Sequence, residues 1–537
     1  MNYFIAYSAG IGVAGVHLMT VVWPRAYNRH YGVDGWKHLL AAEYIRQHKR
    51  LPGRLPGKYI IDEPYNYPPL LPILLALLPR PWRERYEWAV ASCIDALHSL
   101  LLFGIVFALT SDLALGLLAQ GFYMLTPAVV RESSALNTRT AGSLLFSGTF
   151  LCELAFAHSR EPGLLLGAVL LGFLLVHTHK MSVQALVFAS VGFAIWERNP
   201  AYLVTVALIA AAAVVLSGGY YLRFILPGHL AILTYWRERI REGNQIGTHQ
   251  VRGGRPRWSH TLVNQNPFIL LVIVAAIVLR TPTVGNAALA EQYPLFLAWA
   301  LGMYGIALVI TWYRPLRFLG EGERYMEYGA FPTAIVSAVV IGEFLLSGFN
   351  PFLLLLVVVT GALSLRSVLR WQRLAATSQQ LALTPALREV IQLLDQRPEE
   401  VRFACIPTWP SEPVAYFTSS KVLWHDNGLA LHRLVDYFPV LRRPLPEILS
   451  EYDINYFLVH EDYVTVSELG LTGWQTALRK DGLHLLRAPA GPSGHEERLQ
   501  RRCIEEAKTA SSVLAERASA LHGRAPKQQL GASLREA

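Results

Sequence analysis

The chain has 537 residues, 53% hydrophobic and 16% charged, with 48 Lys and Arg against 39 Asp and Glu and a formal net charge of +9; its mean hydropathy is +0.30. Soluble domains carry about 25% charged residues, so this composition excludes a wholly water-soluble protein and places most of the chain in a membrane. A basic excess on so apolar a chain points to lipid phosphates and not to nucleic acid, and Cys93, Cys152, Cys405 and Cys503 lack the paired spacing of a disulfide scaffold or zinc ribbon.

A spanning helix needs about 20 mostly apolar residues. The first candidate, Tyr3–Trp23, contains no charged residue, no basic start and no small-residue cleavage site, so it reads as a retained span and not a removed signal peptide. Further candidates are Glu87–Thr110, Leu113–Val130, Thr140–Ala157, Gly163–Val176, Met181–Trp196, Tyr202–Ser217, Pro267–Leu279, Tyr293–Trp312, Tyr328–Leu346 and Pro351–Leu365, about eleven in all.

With an odd number of spans, alternate loops share a side. One side collects 24–86, 131–139, 177–180, 218–266, 313–327 and everything after Arg366, while the other receives short links such as Ser111–Asp112, His158–Pro162 and Glu197–Pro200. The polar chemistry therefore gathers on one face, as an enzyme with its cleft at the membrane boundary requires. Counting Arg131, Arg139, Lys180, Arg314, Arg317 and Arg324 by the positive-inside rule puts that face in the cytoplasm. Long loops translocate regardless of charge, however, and arginines that bind phosphate are retained for function. The orientation adopted is a cell-membrane protein with its catalytic face and C-terminal domain outside the cytoplasm.

Residues 1–366 thus form a transmembrane domain with external loops 24–86 and 218–266. From 367 to 490 the composition is that of a small soluble α/β domain. Strand-like runs Val401–Ile406, Lys421–Trp424, Tyr456–Val459 and Leu483–Arg487 alternate there with helical stretches Pro385–Asp395 and Leu445–Tyr452. Residues 491–537, rich in Arg, Glu, Ala, Ser and Gln, read as a mobile tail.

The loop after the first span is the most informative. Asp34 stands just beyond the membrane edge, where an interfacial helix with the apolar residues Leu39, Leu40, Ala41 and Ile45 begins. Its carboxylate has two readings: a helix N-cap, or a partly desolvated base that takes a proton from an acceptor hydroxyl. Asp62 and Glu63 form a second acidic point before the Tyr67–Pro69 turn and the short apolar run Leu70–Leu78, either as a solvated turn or as a functional pair at the boundary. Arg131, Arg139, Lys180 and Arg324 fall at span ends, as headgroup anchors or as a convergent phosphate site. His177 and His179 alternate, so they face different ways and do not form a metal pair; with Lys180 they are candidates for binding sugar or phosphate. The basic loop 218–266, with Arg237, Arg239, Arg241, Arg252, Arg255 and Arg257, reads as a solvated surface or as a cover ordered by an anionic donor.

One span, then a long loop with "VDGWKHLLAAEYI" and "YNYPP", resembles the GT-C superfamily of integral-membrane glycosyltransferases, which use polyprenyl-phosphate-linked sugars. The resemblance is distant, to oligosaccharyltransferases and protein mannosyltransferase-like enzymes, and covers about residues 1–370. After the third span, "RESSALNTRTAG" stands where oligosaccharyltransferases carry an Arg-Thr-containing loop. "GERYMEYGAFP" is similar to the RY-x-EY-x-x-P of related transferases, and in the C-terminal domain "WHDNG", Trp424 to Gly428, is similar to an acceptor motif at its Trp, Asp and Gly.

The resemblance implies a GT-C-like multi-span α-helical fold that moves a sugar from a polyprenyl-phosphate-linked donor to a glycan, lipid or protein acceptor. It further implies that Asp34 activates the acceptor, with Asp62 and Glu63 in reserve, and that Arg324, Tyr325 and Glu327 join the substrate-binding set. The metal-binding acidic residues that follow the Arg-Thr stretch in oligosaccharyltransferases are replaced here by Ser143, Leu144 and Leu145, which leaves a divalent metal cofactor without support. The alternative is a transporter or flippase of a lipid-linked sugar, which calls for ionisable groups at mid-span and repeated halves. Asp95, Glu153 and Glu343 are the main charges inside spans, and no second half resembles the first.

Overall fold

The computed structural model describes residues 3–32, 34–239, 262–279, 282–283, 287–347, 350–378, 382–425 and 428–489. The expected mobile tail 491–537, the basic stretch 240–261 of the proposed cover, and Asp426 and Asn427 of "WHDNG" lie outside the described residues.

The chain begins with α1 (Tyr3–Val22), the shorter helices α2 (Gly35–His48) and α3 (Leu70–Ala76), and the long α4 (Arg80–Thr110). There follow α5 (Leu113–Met124), α6 (Pro127–Ser133), α7 (Arg139–Ser159), α8 (Pro162–Val176), α9 (Lys180–Trp196), α10 (Ala201–Leu216) and α11 (Leu226–Glu238). The helical region ends with α12 (Leu262–Gln265), α13 (Ile269–Val278), α14 (Ala287–Trp312), α15 (Tyr325–Tyr328), α16 (Ala330–Ser347) and α17 (Pro351–Thr377).

Among the described residues, 5 helices are long and apolar enough to cross a membrane, and 3 bent pairs raise the number to 8. The bends, of 65°, 99° and 60°, fall between α5 and α6, between α10 and the segment Tyr221–Glu238, and between Gly322–Tyr328 and the segment Ala330–Leu346. Helices α8, α9 and α13 are apolar but shorter, so length and composition carry the expected count of about eleven only to 8. The short links turn sharply: Ser111, Arg160 and Arg198 take positive φ of 53°, 61° and 53°, the left-handed geometry that closes a helix and frees the next to start. Asp112 then caps α5, its Oδ1 accepting from the Ala114 and Leu115 amides at 2.8 and 3.1 Å.

The core between helices centres on Trp299, whose ring centroid lies 4.9 Å from that of Phe150 and 5.7 Å from that of Phe331. Buried polar groups there are mutually bonded, which offsets their desolvation. The His17 ring nitrogen lies 2.6 Å from Asp95, Tyr123 donates its hydroxyl to Asp95 at 2.7 Å and meets His98 at 2.8 Å, and His98 reaches Ser147 at 2.9 Å.

Beyond α17, which runs on to Thr377 past the expected boundary at Arg366, lies a small α/β fold with α18 (Pro385–Asp395), α19 (Ser411–Phe417), α20 (Gly428–Leu431) and α21 (Leu445–Glu451). Its strands β1 (Arg402–Ile406), β2 (Lys421–Val422), β3 (Tyr456–His460), β4 (Gln475–Lys480) and β5 (Leu483–Arg487) form one sheet in the order β2-β1-β3-β5-β4. β1 is parallel to β2 and β3, and β3 is antiparallel to β5. Residues Met1–Thr472 with Thr476–Arg487 form one compact unit. Within this unit the sheet shares a hydrophobic core with the segment between α1 and α4: Leu39, Leu71, Val390, Phe403 and Tyr456 belong to one cluster. Trp36 of α2 meets the rings of Tyr416 and Phe417 at 5.5 and 5.0 Å. Residues 58–60 run beside the edge of β2, with the Ile60 amide donating to the Val422 carbonyl at 2.9 Å and the Val422 amide to the Lys58 carbonyl at 3.0 Å.

Candidate active site

A cavity of about 580 Å³ opens between α2, the start of α7, the start of α9, α11, the 318–324 turn and the C-terminal fold. Asp34, Arg139, His179, Lys180 and Arg324, all marked in the sequence, line it. Asp34 occupies the N-cap position of α2 but its side chain makes no capping bond. Instead the Lys37 ammonium donates to Asp34 Oδ1 at 3.0 Å. Against the cost of burial, Lys37 and Arg139 hold the Asp34 carboxyl well below the usual carboxylate range. The ammonium of Lys37 also lies 4.5 Å from the Tyr67 ring centroid, and that of Lys180 lies 5.9 Å from it, so one ring of the Tyr-Pro-Pro turn faces both cations.

Arg139 is fixed from behind. Glu132 accepts from Arg139 Nη1 through Oε2 at 2.8 Å and from Arg131 Nε through Oε1 at 2.7 Å. The connecting loop is tied by Asn137, whose side-chain amide donates to the Glu132 carbonyl at 2.6 Å and whose Oδ1 accepts from the Arg139 amide at 2.8 Å. Arg131 is therefore not in the cavity wall; it backs the wall, with its guanidinium also reaching Gln265 at 3.0 Å and the Trp371 ring at 5.7 Å. Arg324 pairs with Glu321 across one turn at 2.5 Å. Burial pushes the Glu321 carboxyl up to about 7, against the pull of Arg139. Burial likewise pushes the His179 imidazole down to about 3, so it is neutral, and its Nδ1 lies 3.0 Å from Ser182 Oγ.

The other marked residues lie elsewhere. Asp62 pairs with Arg54 at 2.8 Å, both about half exposed, and Glu63 lies 3.6 Å from Arg433; neither lines the cavity, which fits the solvated-turn reading. His177 is bonded to the Phe173 carbonyl at 2.9 Å, one turn back on its own helix end, and does not line the cavity that His179 lines. Tyr325 donates its hydroxyl to Gln184 Oε1 at 2.8 Å, holding a residue that does line the cavity. Glu327 is buried behind it and accepts from Ser143 Oγ at 2.8 Å. Among the described residues no three His, Cys, Asp or Glu side chains come together as a metal set would.

Several lining groups carry no mark in the sequence reading: Lys37, Glu321, Trp236, Trp409 and Glu412. Lys37 was readable, since i and i+3 share a helix face. The C-terminal groups were not, because only the fold brings them near: Glu412 Oε2 accepts from the Tyr59 hydroxyl at 3.1 Å across 353 residues. Trp424 of the "WHDNG" segment lines the cavity, and the Trp409 indole N–H is buried without a hydrogen-bond partner among the described residues. The wall is closed by a glycine contact between α11 and α20. A Cβ on Gly428 would fall 2.4 Å from the Gly228 carbonyl oxygen.

A second, apolar cavity of about 880 Å³ lies between α9 and α14, lined by Phe188, Val191, Trp196, Trp299, Met303 and Leu319 among others. Leu319 also lines the polar cavity, and α9 carries Lys180 and Gln184 to the one and Val187 to Trp196 to the other. A polar chamber and an apolar groove that share a wall residue suit an amphiphile with a charged head and a hydrocarbon tail.

No family model and no curated relative matches the chain. Among solved structures it is similar to the oligosaccharyltransferase AglB from Archaeoglobus fulgidus, in complex with an inhibitory peptide and a dolichol-phosphate, with a TM-score of 0.54 and 10% identity over 86% of this chain and 70% of that one. ArnT from Cupriavidus metallidurans bound to undecaprenyl phosphate aligns with a TM-score of 0.47 and 12% identity over 89% of this chain and 98% of that one. At such identity the likeness is one of fold: the chain shares a mostly helical, multi-span architecture with that oligosaccharyltransferase.

Proposed function

We propose that the protein is a membrane glycosyltransferase that moves a sugar from a polyprenyl-phosphate-linked donor to an acceptor, with about eleven membrane crossings and its cavity on the non-cytoplasmic face of the cell membrane. The observation that carries this reading is a cavity that brings the Asp34 carboxylate together with four cations, Lys37, Arg139, Lys180 and Arg324, and shares the wall residue Leu319 with an apolar groove. Arg139, Lys180 and Arg324 neutralise the donor phosphate, and the groove beside α9 and α14 takes the first part of the polyprenyl chain.

The acceptor oxygen bonds to the anomeric carbon as the bond from that carbon to the phosphate oxygen breaks. The electron pair departs with the polyprenyl phosphate, and the acceptor proton passes to Asp34. Because neighbouring cations weaken Asp34 as a base, that proton moves only as the acceptor oxygen gains positive charge in the transition state, where a fixed anion is worth most. Tyr67, Trp409 and Trp424 give the acceptor an aromatic wall with a buried N–H donor. The acceptor is a glycan, lipid or protein bearing a hydroxyl or amide.

The transporter alternative needs ionisable groups free to act at mid-span. Asp95 is bonded to His17 and Tyr123, Glu153 accepts from Ser190 Oγ at 2.8 Å, and Glu343 accepts from Thr283 Oγ1 at 2.7 Å, which gives that reading no support. The experiment is sugar transfer by the purified protein from a synthetic polyprenyl-phosphate sugar. Release of polyprenyl phosphate with glycosylation of an added acceptor upholds the proposal, and movement of intact labelled lipid between leaflets without transfer sinks it.

A further inference from the structure

The oligosaccharyltransferase side of this fold implies a divalent cation beside the acidic residues, and the residues of this chain do not fit one. We propose that the Lys37 ammonium and the Arg139 guanidinium take that place, so that transfer runs without bound metal; the inference rests on the transferase reading above. Hard divalent cations need about six oxygen ligands, several of them anionic. Three carboxylates line the cavity, and each has a partner. Asp34 Oδ1 is 3.0 Å from Lys37 Nζ, Glu321 is paired to Arg324, and Glu412 Oε2 accepts from the Tyr59 hydroxyl at 3.1 Å. Behind the wall both oxygens of Glu132 are occupied, by Arg131 at 2.7 Å and Arg139 at 2.8 Å, and Glu327 accepts from Ser143.

Arg139 lies within electrostatic reach of Asp34, Glu132, Glu321 and Glu327. It bonds Glu132 at 2.8 Å and lines the same cavity as Asp34 and Glu321, so a cation already stands among these carboxylates. An added dication would sit in a cavity that Lys37 and Arg139 already line and would be repelled by both. Lys37 and Arg139 together carry the charge a divalent ion would bring. They hold it in fixed positions on α2 and α7 and need no free coordination site. They are positioning groups for Asp34 and electrostatic groups for the donor phosphate.

The test is Mn²⁺ titration of the full-length protein in nanodiscs, followed by the electron paramagnetic resonance signal of free Mn²⁺, with transfer assayed in excess EDTA. The expected result is no Mn²⁺ taken up by the wild type and no loss of rate in EDTA. Lys37→Asp, which sets a second carboxylate one turn from Asp34, is expected to take up Mn²⁺. Binding of one Mn²⁺ by the wild type that disappears in Asp34→Asn, or a rate lost in EDTA and restored by Mn²⁺, overturns the proposal. The wild-type titration requires no variant to fold and no donor to react. Absence of sugar transfer under every condition would therefore count against the transferase reading, while the titration still decides the question of metal.

Discussion

Lys37 lies one helical turn from Asp34 and donates its ammonium to Oδ1 at 3.0 Å, while the backbone amides at the start of α2 receive nothing from that carboxylate. The aspartate at the head of this helix is therefore held by a charge and pointed at the cavity, not spent as a cap. That pairing sets the first expectation. Asp34→Asn keeps the shape and the hydrogen-bonding reach but removes the anion, so turnover should fall by about 10²- to 10⁴-fold, the usual worth of a positioned acid or base. Affinity for a non-transferable polyprenyl-phosphate analogue should stay the same or rise, because a negative charge has left the site. Equal loss of turnover and of analogue binding would make Asp34 a structural residue. Because its carboxyl is depressed, its contribution to stability is full above the ordinary carboxylate value near 4. It is lost only as pH falls toward the folded value, so no acid limb of activity above that pH should trace to Asp34.

Glu321 behaves in the opposite sense. Burial raises its carboxyl to about 7, so between its ordinary value near 4.5 and about 7 the folded protein binds a proton that the unfolded chain does not. Stability should then decline as pH rises through that window and level off above it. In the same window protonation removes the negative partner of Arg324 and leaves the cavity one charge more positive. Donor affinity should strengthen as pH falls below about 7 and become flat in Glu321→Gln. An unchanged pH profile in that variant would assign the titration to another group.

The apolar spans were legible because a 20-residue apolar run has few alternatives. Cations at span ends were legible because length fixes where a helix emerges. Asp34 and the Asp62–Glu63 pair, by contrast, look alike as sequence: both are acidic points in one loop near the membrane. Each also has a local cation, Lys37 beside Asp34 and Arg54 beside Asp62; what separates them is tertiary, namely Arg139 and the cavity wall beside the one and the exposed Arg433 beside the other. The role of Arg131 was hidden for a similar reason. Its neighbour Glu132 turns it into a buttress for Arg139, through a loop whose shape depends on the Asn137 side chain. Strand β4 escaped because it is a polar strand at the sheet edge with no buried alternation to reveal it. The bend after α5 interrupts a run that remains apolar across the break, so the expected span Leu113–Val130 reads through it, whereas Gly218 and Gly219 mark the bend after α10 as the end of the expected span Tyr202–Ser217.

The glycine contact behind the cavity makes a sharper demand than either helix alone. A methyl on Gly428 would meet the Gly228 carbonyl oxygen at 2.4 Å and the Ile232 amide nitrogen at 3.0 Å, both backbone atoms that cannot rotate away. Gly428→Ala should therefore push α20 off α11 and cost about 1–3 kcal/mol, the range for overfilling a close contact. Since α11 carries Ile232, Leu233 and Trp236 to the cavity wall, acceptor KM should rise along with the loss of thermal stability. A variant as stable as the parent, with unaltered kinetics, would show that the two helices tolerate separation and that the wall does not depend on their contact.

Gly192, Gly302 and Gly305 line the apolar groove, and a Cβ at any of them would meet nothing within 4 Å. Their missing side chains leave the groove open along α9 and α14. Gly305→Leu should fold without a clash and fill part of that space with four carbons, at the cost of the area a lipid tail would otherwise cover. A buried methylene is worth about 0.8 kcal/mol, so displacing a few from the tail should raise KM for a long-chain donor by roughly 10-fold or more. A donor with a tail too short to enter the groove should be processed as by the parent, since the polar chamber with Asp34, Arg139 and Lys180 is untouched. If the substitution slowed short and long donors alike, the groove would not be where the chain lies; if it slowed neither, the tail would leave the polar chamber by another route.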